Sequence, residues 1–129
     1  MRAKFLKKQE TSATLLRGVN VELNTYQFLA SQTAIYPGKG EVLGLSYATL
    51  GLTGEAGEIA NKVKKIIRVD RSMENAKQDL KEELGDVLWY LSAVADNLGL
   101  KLDDIAHENI RKLRSRQERG VLKGAGDNR

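Results

Sequence analysis

Two consecutive segments of this chain, about 43–67 and 72–98, repeat apolar residues at helical spacing, and each carries two carboxylates one turn apart. The first pair is Glu55 and Glu58; the second is Glu83 and Asp86. At about 100° per residue, Leu45, Ala48, Leu52, Ile59, Val63 and Ile66 fall within roughly 60° of one another. Glu55, Glu58, Lys62 and Gly51 occupy the adjoining flank. In the second segment Leu84, Val87, Leu88, Leu91, Val94, Ala95 and Leu98 make the apolar face. Asp79, Glu83, Asp86 and Tyr90 share a strip of about 60° along its edge. Both acid pairs therefore border a core-facing stripe. Two such helices side by side gather four anions in one small volume, which is costly unless a cation neutralises them. Hard divalent ions take oxygen ligands and commonly keep waters and substrate phosphates in their shell. The pattern points to metal-assisted phosphoryl chemistry.

The rest of the chain is also helical in pattern. Asn24 or Thr25 is placed to N-cap a helix running to about Ala34. Tyr36-Pro37-Gly38-Lys39-Gly40 is a loop, without the spacing of a phosphate-binding P-loop. Gly51, Gly54 and Gly57 lie inside the second helix, where each costs about 1 kcal/mol relative to Ala. Close approach of something to the backbone is the expected reason for them. Val69-Asp70-Arg71 is a turn, Ser72 caps the third helix, and Gly99 suits the position just past its end. A fourth helix, about Leu102 to Arg116, opens with Asp103 and Asp104 and closes in Lys and Arg, matching its dipole at both ends. No strand-like alternation occurs. The expectation is an all-α protomer of four to five helices, assembled as a dimer or tetramer because short helices need neighbours.

The 129 residues suit one domain, with 41% apolar residues to build a core. Residues 1–22 read as a basic N-terminal extension, 23–119 as the domain, and 120–129 as a flexible Gly-rich tail. No cysteine is present, which excludes disulfides and thiolate metal sites. No run is long and apolar enough to span a membrane, and no apolar segment follows the basic start as a secretory signal requires. The cytoplasm is the expected compartment. Net charge is +4, with basic residues gathered towards the two ends and acids in the middle. Phosphate ligands suit both parts, through metal in the middle and through Lys or Arg elsewhere.

Acidic i,i+3 pairs are common on solvated helix surfaces. Here two pairs lie on consecutive helices, both border an apolar stripe, and Lys64, Lys65 and Lys81 sit at other angles. Only Lys62 is placed to neutralise them in part. His107 is the lone histidine and reads as an ordinary helix residue, so a His-based zinc site or a serine triad has little to build on. Trp89 falls opposite the expected core face, as a subunit contact or a stacking platform for a base. Tyr90, one turn after Asp86, is placed to stack on a base, to bond near the metals, or to cap the core.

Three stretches carry a family resemblance. Gly51-Leu52-Thr53-Gly54-Glu55-Ala56-Gly57-Glu58, then Glu82-Glu83-Leu84-Gly85-Asp86-Val87-Leu88-Trp89-Tyr90, then Asn109-Ile110-Arg111-Lys112-Leu113-Arg114-Ser115-Arg116 resemble the MazG-like all-α nucleoside triphosphate pyrophosphohydrolases. The resemblance implies a helical protomer whose Glu55, Glu58, Glu83 and Asp86 hold two or three Mg²⁺ ions, with Mn²⁺ as a substitute. It implies hydrolysis of a nucleoside triphosphate between the α- and β-phosphates, and dimers or tetramers whose sites are completed across subunits. Asn109, Lys112 and Arg116 match the family's phosphate-contacting positions; Lys62 and Tyr90 join them as expected substrate contacts. One departure is Gly54, which stands where the family's EExxE pattern opens with Glu. Either another group, with Glu82 the candidate counted in the catalytic set, takes over that carboxylate's task, or the task is not needed; the general base stays unassigned.

Two other readings compete. One is a related helical phosphohydrolase acting on another phosphorylated nucleotide, such as phosphoribosyl-ATP. The other is a non-catalytic nucleic-acid-binding protein using its basic ends, against which the intact set of four acids argues. Base identity rests on a few pocket residues, with Tyr26, Gln27, Tyr36, Asn61 and Tyr90 as candidates.

Overall fold

The structure, a computed structural model, describes residues 20–123. Most of the expected basic extension and tail, residues 1–19 and 124–129, lies outside the described residues. Those described form four helices and no strand: α1 (Leu23–Ser31), α2 (Val42–Ile67), α3 (Met73–Asn97) and α4 (Leu102–Glu118).

α2 and α3 form an antiparallel hairpin, with 26 and 25 residues, about 38 Å each at 1.5 Å per residue. The Ser72 side chain accepts from Asn75 N–H at 3.2 Å and caps α3 as expected. Gly99 takes φ +66 past the end of α3, where Gly99 N–H donates to Asp96 O and Leu100 N–H to Ala95 O. That is the paired closure of a Schellman motif. The turn into α3 uses the same closure, but with Val69 at φ +62, a conformation that a β-branched residue adopts only under strain.

The hairpin seam follows a four-three spacing. Gly44, Ala48 and Gly51 meet Asn97, Ala93 and Tyr90 on α3. The same spacing continues through Glu55, Glu58 and Lys62 on α2 and through Asp86, Glu83 and Asp79 on α3. One half of the seam is thus small and apolar, the other charged. A Cβ on Gly44 would stand 2.2 Å from Gly38 O, so this close packing needs glycine there. Gly51 is likewise packed, against Tyr90, whereas Gly54 and Gly57 have nothing within 4 Å of a Cβ. Close approach therefore explains only one of the three glycines expected to need it.

The buried centre joins Tyr36, Ala48 and Ala93, with Ala34, Trp89 and Val94 packed against it. Tyr36 stacks on Tyr47 at 4.8 Å and meets Trp89 edge-on at 6.2 Å; Trp89 meets Tyr90 edge-on at 4.9 Å. Trp89 therefore packs on the core side, contrary to the wheel, because α1 and the loop after it cover its flank. Conversely Leu84, Leu91 and Leu98 are 57%, 40% and 52% exposed. The apolar face of α3 is wider than the strip α2 covers.

α1 starts two to three residues earlier than expected and ends at Ser31, and Glu22 at its N-cap makes no side-chain bond. Asn24 does cap a helix, but a different one. Its side-chain oxygen accepts from Asp103 N–H at 3.1 Å, and Gln27 Oε1 accepts from Leu102 N–H at 2.8 Å. Gln27 also donates to Asp96 at 2.6 Å and to Leu100 O at 2.8 Å. α4 packs on α1 through these contacts.

Candidate functional site

Hairpin register brings Glu55, Glu83 and Asp86 together: one oxygen from each lies within 4.8 Å of the others. Their neighbours show the cost of that proximity. The Glu55 carboxyl is held above its ordinary 4.5 by burial first, then by the charges of Asp86 and Glu83, a hydrogen bond with Glu83, and the charge of Glu58. Glu58, one turn along α2, is exposed and lies outside the group of three, yet near enough to act on Glu55.

Lys62 Nζ stands 2.9 Å from Glu83 Oε1. That bond raises the ammonium's affinity for its proton, against a smaller opposing effect of burial, with further help from the charges of Glu83, Asp79 and Glu58. Asp79, expected on the same strip, is engaged by Arg71 at 2.5 Å, which lowers its pKa, and so stands apart from the cluster. Glu82 is exposed and accepts from Gln78 Nε2 at 3.0 Å, also outside the group.

Beside the acids opens a cleft of about 380 Å³, lined by Thr33, Glu55, Asp86, Trp89 and Tyr90. Trp89 Nε1 donates to Thr33 Oγ1 at 2.8 Å, which fixes the indole plane in the wall. The Tyr90 phenol is raised in pKa by burial, then by Tyr47, Glu55 and Asp86. Tyr26 on α1 is raised by burial and by Asp86, so α1 also reaches the acid end. Thr33 was not among the residues expected at the site, and Trp89 was expected there only as one of two alternatives, a stacking platform or a subunit contact. The tryptophan's angle on the wheel pointed elsewhere, and no local pattern marks Thr33.

Other expected lining residues lie elsewhere. Gln27 is buried as the cap of α4, and the Tyr36 hydroxyl accepts from Asn97 in the core at 2.8 Å. Asn61 is exposed and accepts from Lys64. Asn109 and Lys112 line a separate cleft of about 730 Å³ along α4, with Ile105, Glu108, Arg111 and Ser115. Arg116 is buried, 5% exposed. None of the three lines the carboxylate cleft within this protomer.

The donor set suits a hard divalent cation: three carboxylate oxygens within 4.8 Å of one another, carrying more negative charge than Lys62 alone balances. No described helix is long and apolar enough to cross a membrane.

A family model described as MazG nucleotide pyrophosphohydrolase domain matches residues 45–121. The chain is also similar to the "Gene 37 protein" of Mycobacterium phage L5, 50% identical over 114 residues, which cover 84% of this chain and 100% of the phage protein. No solved structure matches. The family match spans more than half the chain and includes α3, α4 and every acid of the cluster. The chain therefore belongs to the MazG nucleotide pyrophosphohydrolase domain family.

Proposed function

We propose that the protein hydrolyses a nucleoside or deoxynucleoside triphosphate between its α- and β-phosphates, releasing the monophosphate and pyrophosphate in the cytoplasm. The observation that carries this reading is the meeting of Glu55, Glu83 and Asp86 at the mouth of a cleft walled by Trp89 and Tyr90. Glu55, Glu83 and Asp86 would hold Mg²⁺ or Mn²⁺, with Glu58 at the edge for a second or third ion. When bound, the ions neutralise the triphosphate and lower the pKa of water. Trp89 and Tyr90 offer faces on which a base stacks, and the Thr33 contact holds the indole in place.

Lys62 is one phosphate ligand within reach of the acids. Asn109 and Lys112 are further phosphate ligands in this reading, supplied from a second copy, since α4 of the same protomer packs on α1; Arg116, expected beside them, is buried and would serve by supporting that face of α4. The exposed Leu84, Leu91 and Leu98 favour such a homodimer or homotetramer.

The test is incubation of the purified chain and Mg²⁺ with a panel of common ribo- and deoxynucleoside triphosphates, with products resolved by chromatography. Monophosphate and pyrophosphate in equal amounts are expected from a subset of the panel. Orthophosphate in place of pyrophosphate would sink the proposed bond. Glu83→Gln is expected to lower kcat by roughly 100-fold, the order expected when metal-borne stabilisation is lost. Light scattering with gel filtration checks the assembly, and a monomer at working concentration would contradict it.

A further inference from the structure

We propose that Lys62 is an internal counter-cation of the carboxylate cluster, exchanged for the divalent ion on binding and so setting the site's metal affinity. This rests on the reading of Glu55, Glu83 and Asp86 as metal ligands. Lys62 Nζ holds Glu83 Oε1 at 2.9 Å, and Glu83 supplies one of the three oxygens that lie within 4.8 Å. The pair is not a loose surface contact, since the two side chains are 23% and 18% exposed. Asp79, the other acid facing Lys62 from α3, is already bound by Arg71. Glu83 is therefore the direct partner of Lys62.

Three carboxylates this close repel one another, and the ammonium offsets part of that repulsion in the metal-free helix pair. An ion bonded at about 2.1 Å to the Glu83 oxygen that Lys62 holds would lie within roughly 5 Å of an ammonium that stayed in place, and like charges at that range repel. Lys62 and the metal thus compete for one carboxylate. The flexible four-carbon stem lets the ammonium leave without moving α2. Once released, it stands one turn beyond Glu58, where a metal-bound triphosphate would present oxygens. One residue would then hold the empty cluster together and help to fill it.

The experiment is a calorimetric titration of Mn²⁺ into the substrate-free full chain, for wild type, Lys62→Met and Lys62→Arg. Methionine keeps much of the apolar stem and removes the charge; arginine keeps the charge. Lys62→Met is expected to bind Mn²⁺ about tenfold more tightly than wild type, and Lys62→Arg within about threefold of it. Equal or weaker binding by Lys62→Met would overturn the inference while leaving the metal ligands standing. Absence of Mn²⁺ binding by wild type would remove both. Should Lys62→Met fail to fold, the Lys62 ammonium resonance of wild type during Mg²⁺ titration decides. It is expected to lose its Glu83-bonded shift at saturation, and persistence of that shift overturns the exchange.

Discussion

Gly51 on α2 faces the ring of Tyr90 on α3 so closely that a Cβ at position 51 would stand 2.1 Å from Tyr90 Cε1. The contact lies one turn from Glu55, so the packing that sets the hairpin spacing also sets the distance between the acids and the aromatic wall.

Gly51→Ala is therefore expected to destabilise the fold by about 1–3 kcal/mol, as overpacking does, and to lower activity by displacing Tyr90. Gly54→Ala is the control, since nothing lies within 4 Å of its Cβ. Helix propensity alone then predicts a gain of up to about 1 kcal/mol. Thermal unfolding of both variants measures the difference, and equal melting temperatures would contradict it.

Metal-free stability should depend on pH through Glu55. Its folded-state pKa is raised above the ordinary 4.5 by burial and by Asp86 and Glu83, so the native state binds more protons than the unfolded chain in that window. Stability then falls as pH rises from 4.5 through the raised value, and the loss persists at neutral pH. Glu55→Gln removes this loss. With chelator present, the variant should show a flatter urea midpoint against pH and a higher midpoint at neutral pH than wild type.

Mg²⁺ or Mn²⁺ should stabilise the wild type, because the ligand set exists only in the folded hairpin. At a hundredfold excess over Kd the gain is about 2.7 kcal/mol, with chelator reversing it. Glu83→Gln should lose most of that shift in melting temperature. A full shift in this variant would remove Glu83 from the ligand set.

Val69→Gly should stabilise the turn between α2 and α3. The position holds φ +62 with its side chain exposed, so glycine relieves strain without removing packing. A gain of about 1 kcal/mol is expected, read as a higher urea midpoint with unchanged slope.

Much of this architecture is legible in the sequence because it is local. The 3.6-residue period marks α2, α3 and α4 to within a few residues, and Ser72 and Gly99 mark the ends of α3 by their own chemistry. The i,i+3 spacing with its bordering stripe also shows which acids could meet. What a neighbour covers is not local. The wheel shows that α3 is apolar over a wide arc, but not that Leu84, Leu91 and Leu98 lie beyond the strip α2 reaches. It places Trp89 away from that strip without showing that Thr33 and Tyr36 come to meet it. Asn24 looks like the cap of its own helix because it stands at that helix's start; only the approach of α4 turns it to another task. Glu58 sits on the expected flank, but its side chain falls outside the close group of three, a difference within one helical turn.

That borrowed capping has a consequence for how the chain folds. α4 opens on Lys101, which makes no side-chain cap bond, and two of its first free N–H groups are satisfied by Gln27 and Asn24 from a helix some 75 residues earlier. The first turn of α4 is thus conditional on α1 having docked. α1 itself docks on α3, where Gln27 donates to Asp96, so amide exchange in the first turn of α4 should report the coming and going of α1 from the hairpin. A chain starting after Gln27 would keep the acids and their seam, yet lose the ordered start of the helix that carries Asn109, Lys112 and Arg116.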